Sequence, residues 1–339
     1  MSFRHVLARA RRAVPITLVA AALCAVAPPR AHAVTFNYDL GSTCASLTLS
    51  GRTLVCNDGT QIALDSSITP SCPQFALGHT GAAYTLVCAV PNATGLWWRA
   101  DESGRGTWLS HQGDTIFAVD YAYDAADQPR WRTMIAVKRD DGTFTGDVYE
   151  SSGPSFSAAS FDPQSVAPKL VGQGWLVQDD GNNVRVNMAE GVARGLSRQT
   201  FGTLPLCSFG TTADPATSVN YTDLWWNPDE SGWGINLAHQ GDTIFAAWYT
   251  YAVDGKPLFL VGTLYKTDAA TYAGDLYRAT GPVGAAMTAT AVGTANIAFV
   301  NGNNGTLTTT VQLAGMTGAM TRSRGITREI FSAPGAACR

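Results

Sequence analysis

The chain runs to 339 residues, 14% charged and 45% hydrophobic, a composition for folded domains rather than a disordered tail. Its first 33 residues hold five arginines and no acid, so 18 basic residues remain beyond them against 26 acidic, a net −8. That balance offers no phosphate-neutralising footprint and excludes nucleic acid as the main partner, and no later stretch is apolar for long enough to span a bilayer.

Residues 1–33 read as a secretory signal peptide. Arg4, Arg9, Arg11 and Arg12 precede an apolar stretch from Ala13 to Ala27, and Ala31-His32-Ala33 supplies the small-x-small cleavage site. The stretch is short and interrupted by Pro15, which argues against a membrane anchor. The expected location is exported, periplasmic or secreted. Six cysteines lie beyond the leader: Cys44, Cys56, Cys72, Cys88, Cys207 and Cys338. An even number in an oxidising compartment points to disulfides, and nearest neighbours give Cys44–Cys56, Cys72–Cys88 and Cys207–Cys338 among many connectivities. None falls in a C-x-x-C spacing, so no zinc, and no cofactor of any kind, is expected. Residues 34–91 form a small Cys-rich unit of short strands, too short to bury much core and stapled by disulfides.

The rest is a tandem duplication. Trp97-Trp98 recurs as Trp225-Trp226 at an offset of 128, which also carries Asp101-Glu102-Ser103-Gly104 onto Asp229-Glu230-Ser231-Gly232. It carries His111 through Ala118 onto His239 through Ala246 without a mismatch, and Gly153-Pro154 onto Gly281-Pro282. Past small gaps, Gly195-Leu196-Ser197-Arg198 matches Gly325-Ile326-Thr327-Arg328. Residues 92–205 and 206–339 are therefore two copies, expected to pack as separate domains that touch.

Each copy reads as β throughout. From Thr243 to Val253 the chain alternates, with Phe245, Tyr249 and Tyr251 on one face and Ile244, Trp248 and Thr250 on the other. Asp254-Gly255 then turns the chain into a second run, Pro257 to Tyr265. Gly241-Asp242, Gly274-Asp275 and Gly302-Asn303 are expected to punctuate further strands. About eight strands in up-and-down order predict, for each copy, an antiparallel β-barrel, whose closure removes exposed strand edges. The whole is all-β: two such barrels in tandem and the small N-terminal unit.

The element Trp225-Trp226-Asn227-Pro228-Asp229-Glu230-Ser231-Gly232-Trp233-Gly234, continued by Gln240-Gly241-Asp242, resembles a repeat seen in a family of exported bacterial proteins. Copy one departs from it at Arg99-Ala100, and the resemblance brings no activity with it. In architecture the meander is also similar to avidin-type and lipocalin-type barrels, which hold small ligands in the lumen, a likeness of fold alone.

The residues singled out for ligand binding are Trp97, Trp98, Glu102 and His111 in copy one, with Trp225, Trp226, Glu230, Trp233, His239 and Trp248 in copy two. Clustered Trp, Glu and His suit a sugar-binding face. A structural role is the competing reading: glycines for positive φ, Gln-Gly-Asp as a tight turn, His bonded to a loop carbonyl. No catalytic residue is assigned. A Ser103–His111–Asp114 triad lacks the elbow motif, adjacent Asp101 and Glu102 point apart if extended, and Glu102 meets Asp114 only if loop and hairpin converge. A metal bridge from His111 to His239 needs the copies face to face, while Asp140-Asp141-Gly142 and Asp179-Asp180-Gly181 read as turns.

The copies also differ in a coupled way. Asp120, Arg132, Arg130 and Arg105 become Trp248, Leu260, Leu258 and Trp233, and hairpin geometry sets 120 opposite 132. Copy two thus gains an apolar surface, expected to pack on a protein partner, a ligand or copy one, or else to fill its own core. The expected function is binding of a small-molecule, glycan or cell-surface polymer ligand through aromatic faces; a structural or adhesive envelope protein is the alternative, and a hydrolase the second alternative.

Overall fold

The computed structural model describes residues 47–50, 53–63, 74–80, 83–89 and 92–338, without 180, 206, 209–214, 284–286 and 333–336. The expected leader, Cys44 and Cys72 lie outside these residues, and so do the expected pairings Cys44–Cys56 and Cys72–Cys88.

The described residues between 47 and 89 form a unit of their own. Within it β1 (Leu47–Ser50), β2 (Thr53–Cys56) and β3 (Gln61–Ala63) make an antiparallel sheet, and β4 (Gln74–Thr80) pairs with β5 (Ala83–Ala89) as a hairpin. Leu54 and Cys56 supply buried side chains of the sheet.

The two copies make one compact unit from Asn92 onward. Barrel one consists of β6 (Gly95–Trp98), β7 (Gly106–Gln112), β8 (Thr115–Tyr123), β9 (Pro129–Lys138), β10 (Phe144–Ser152), β11 (Ala167–Gln178), β12 (Asn183–Asn187) and β13 (Arg194–Arg198). Each strand pairs with the next, and β13 closes on β6 through Ser197–Trp98 and Arg198–Trp97. A short strand β14 (Cys207–Ser208) follows. Barrel two repeats the meander with β15 (Asp223–Trp226), β16 (Gly234–Gln240), β17 (Thr243–Tyr251), β18 (Pro257–Asp268), β19 (Thr271–Thr280), β20 (Thr288–Phe299), β21 (Asn304–Val311) and β22 (Met320–Arg328), closed by β22 on β15. Finally β23 (Ala337–Cys338) pairs with β14, setting Cys207 opposite Cys338.

Contacts between non-adjacent strands identify the inward faces. His239 on β16 meets Tyr272 on β19 across the lumen, and His111 on β7 stands edge-on to Phe144 on β10. Cross-strand partners share a face, so Ile235, Leu237, Ile244, Ala246, Trp248, Leu260 and Leu264 also point inward. The lumens are packed with side chains; Leu109, Ile116, Met134 and Leu176 fill the first as Ile235, Ile244, Leu260 and Ile297 fill the second, all buried.

Gly113, Gly241 and Gly255 take positive φ in tight turns, as the turn reading requires. Gly274-Asp275 does not punctuate anything: both residues lie inside β19. A Cβ at Gly274 would stand 2.2 Å from the Thr263 carbonyl oxygen, and at Gly146 1.9 Å from that of Ile135. Glycine serves there to let neighbouring strands close up in a narrow barrel, not to turn the chain.

The barrels are not packed separately. The outer faces of β8 and β9 meet those of β17 and β18, and one apolar core runs from Trp108, Tyr121 and Trp131 into barrel two. This explains the burial of both faces of β17: Trp248 points into its own lumen, while Tyr249 and Tyr251 pack on Trp131.

Candidate functional site

Each barrel has a lower end, where β7 turns into β8 (or β16 into β17), and an upper end, where β6 leads into β7 (or β15 into β16). An up-and-down meander sends alternate connections to opposite ends. Glu102 and Ser103 are therefore at the upper end, and His111 and Asp114 at the lower. The combined Trp–Glu–His face, the Ser103–His111–Asp114 triad and the Glu102–Asp114 pair are not assembled, because a barrel length separates their members.

The histidines hold the chain entering each barrel. At His111 the Ala93 N–H donates to Nδ1 at 3.3 Å, leaving Nε2–H to donate to the Gly113 carbonyl at 3.0 Å. At His239 the Tyr221 N–H donates to Nδ1 at 3.1 Å, and Nε2 lies 3.0 Å from the Tyr272 hydroxyl. Burial pushes the His111 pKa down from 6.5 to about 4, and lowers that of His239, so both are neutral at pH 7. Each belongs to its own barrel's core, which rules out the bridge between them. Among the described residues no cluster of three metal-capable side chains occurs.

The tryptophans are core as well. Trp97 and Trp225 are fully buried, donate to the Ala93 and Tyr221 carbonyls, and stack under Arg198 and Arg328. Trp226 is buried on the outer side of β15 and Trp98 half-buried on β6. Trp233, Trp248, Leu258 and Leu260 are at most 2% exposed, so the apolar surface expected to take a protein partner is closed off inside barrel two. Copy one does reach it: Phe156, from the loop after β10, stands edge-on to Trp248.

What the upper end of barrel one holds is a charged network. Asp120, 1% exposed, accepts from Arg105 at 3.0 Å, Arg194 at 3.1 Å and the Thr107 hydroxyl at 2.7 Å. Arg194 Nε also reaches Glu102 at 2.9 Å. Glu190 bridges Arg105 and Arg130, and Arg132 Nε donates to Glu150 at 3.1 Å. Asp120 and Arg132 are cross-strand neighbours as expected, yet each bonds elsewhere. Arg105, Arg130, Arg132 and Arg194 thus face Glu102, Asp120, Glu150 and Glu190, with Arg130, Arg132, Glu150 and Glu190 18–35% exposed at the rim, and Arg99, paired with Asp101, also reaches Glu102 at 3.2 Å. Arg130 and Glu150 open onto a cleft of about 810 Å³ lined by residues of 124–129 of copy one and of 252–258 of copy two, together with Arg278 and Leu313.

Barrel two keeps one ion pair of this set, Glu230 with Arg324 at 2.8 Å, where Trp233 Nε1 also donates to Glu230 at 3.0 Å. The counterparts of Arg105, Asp120, Arg130 and Arg132 are apolar, and that of Glu150 is Arg278. Sequence comparison flagged Arg105, Asp120, Arg130 and Arg132 as differing but drew attention to their apolar counterparts; Glu150, Glu190 and Arg194 went unnoticed. The available signal was ionic residues at inward strand positions, Arg130 and Arg132 sharing a face with Met134 and Ala136.

The fold and the site define a tandem pair of closed antiparallel barrels with one charged mouth and one capped mouth. No protein-family model matches the chain, and neither a curated protein nor a solved structure does.

Proposed function

We propose that this is an exported binding protein whose ligand site is the charged upper mouth of barrel one. One observation carries the reading: barrel two forms the same fold with Trp and Leu where barrel one has Asp and Arg. Buried ion pairs contribute little to stability against apolar replacements of similar size. The charges of barrel one are therefore not a requirement of the fold, and recognition is the role that accounts for keeping them. Arginines and carboxylates balance in number, so the mouth carries no net charge with which to favour a ligand of large net charge. Hydroxyl and amide groups, which both donate to carboxylates and accept from guanidiniums, fit the lining. A neutral or zwitterionic glycan of the cell surface is the class with that chemistry, held by polar groups rather than by aromatic stacking, since the tryptophans are occupied in the core. Export, and disulfides in the oxidising compartment, belong to the same proposal.

The test is calorimetric titration of the mature protein with neutral, zwitterionic and polyanionic oligosaccharides, repeated with Arg132→Leu, which installs the residue of barrel two. Binding of a neutral or zwitterionic member that Arg132→Leu weakens at least tenfold supports the reading. Binding that the substitution leaves unchanged, or none across the panel, overturns it.

A further inference from the structure

A two-fold contact between identical subunits obeys a strict rule: if residue i touches residue j of the partner, then j touches i of the partner. The contact between the barrels obeys it under the duplication offset. Tyr121 packs on Phe259 with centroids 5.1 Å apart, and the equivalent Tyr249 packs on Trp131 at 5.2 Å. Tyr123 stands 5.8 Å from Phe259, and Tyr251 stands 5.4 Å from Trp131. The Gly153 N–H donates to the Gly255 carbonyl, and the Gly281 N–H to that of Asp127, 128 positions before Gly255. Asp127 adopts φ +56° to match Gly255 at +76°, a conformation rare for a side-chain-bearing residue and retained where the reciprocal bond demands it.

The chain segments that follow the barrels are exchanged in the same way. Gln112 of barrel one donates to the Glu329 carbonyl and accepts the N–H groups of Phe331 and Ser332, beyond barrel two. Gln240 of barrel two donates to the Gln199 carbonyl and accepts those of Phe201 and Gly202, beyond barrel one. All three bonds are reproduced, glutamine for glutamine. The loops after β10 and β19 also cross over: Val166 lies against Gly232, and Met287 against Gly104.

From this reciprocity we infer that the barrel–barrel contact is a homodimer interface enclosed within one chain, and that the partner each barrel face fits is a second copy of the same barrel. The covalent link is then dispensable: association resides in the aromatic face and the exchanged arms. This does not rest on the ligand reading.

The test uses the full mature chain with a protease site inserted between the exposed residues Thr203 and Leu204, cut after folding. Any disulfide joining the halves is first reduced. Native mass spectrometry at micromolar concentration should find the halves as one 1:1 complex, and Gln112→Ala or Gln240→Ala should each raise its dissociation constant by roughly tenfold. Folded halves that separate at that concentration overturn the inference. A second measurement needs no cutting. Gln112→Ala should accelerate amide exchange at Phe331 and Ser332, and Gln240→Ala at Phe201 and Gly202, by similar factors of about ten. Unchanged protection in either pair overturns the arm exchange.

Discussion

Phe156 of copy one and Trp248 of copy two meet edge-on with centroids 5.8 Å apart and ring planes at 82°, so one barrel provides the stopper for the other. The stopper loop, 153–166, has fourteen residues against seven in its counterpart, 281–287. Its backbone is tied down by Arg324 to the Phe156 carbonyl and Arg322 to that of Ala158. Loop length and lumen composition have diverged together: the apolar mouth is capped, and the charged mouth adjoins the open cleft.

Removing the stopper should therefore loosen barrel two from above. Phe156→Ala is expected to cost about 3 kcal/mol, the usual penalty for emptying a buried aromatic site. Trp248→Asp, which empties the indole site and buries a carboxylate in the lumen, should exceed that and abolish folding of the second barrel. Urea denaturation followed by tryptophan fluorescence checks both; a Trp248→Asp protein of unchanged stability would contradict its inward placement.

The charged mouth should respond asymmetrically. Asp120→Ala leaves Arg105 and Arg194 facing each other without their shared carboxylate and should destabilise barrel one by about 3–5 kcal/mol. Combining Asp120→Trp, Arg105→Trp, Arg130→Leu and Arg132→Leu with Glu150→Gln and Glu190→Gln brings the apolar residues of barrel two into the mouth and leaves no carboxylate there without its arginine. It should recover part of that loss while leaving no ligand binding. Equilibrium unfolding of the two variants decides it, through the difference between them.

How far the residues alone led follows from the same positions. Alternation in Thr243–Tyr251 was legible because strand period is a local property, and its two faces are the lumen and barrel interface. Hairpin geometry set 120 opposite 132 for the same reason. Three things were not legible. The glycine of Gly274-Asp275 serves close strand approach, which looks in sequence like a turn. Gln112 and Gln240 sit in a turn-like His-Gln-Gly-Asp element, yet their side chains hold arms 217 and 41 residues away. The Glu102 and His111 elements are nine residues apart in sequence and at opposite barrel ends, since the strand between them runs from one to the other.

Cys207 and Cys338 are direct antiparallel partners between β14 and β23, a separation within the reach of a disulfide. Oxidation should close a loop around the whole of barrel two and stabilise it by about 5 kcal/mol on the loop-entropy estimate. A non-reducing digest of the oxidised protein should yield the cross-linked peptide pair, and Cys207→Ser should lower the unfolding midpoint of barrel two. Free thiols at both positions in oxidised protein would refute the pairing.

Finally, stability should fall on acidification before most carboxylates titrate. His111 is held neutral with a folded pKa near 4 against 6.5 when unfolded, and His239 is shifted in the same direction. Between those values the unfolded chain binds the proton and the folded chain does not, so stability is fully present above about pH 6.5 and is lost as pH drops towards 4. The His111 contribution over that window is of the order of 3 kcal/mol. His111→Gln cannot become charged; it should lower stability at pH 7 through poorer packing against Phe144 but flatten the decline from pH 6.5 to 4. Urea titrations at half-unit pH steps measure the slope. An identical slope in the wild type and in a His111→Gln, His239→Gln protein would show that the buried imidazoles do not carry it.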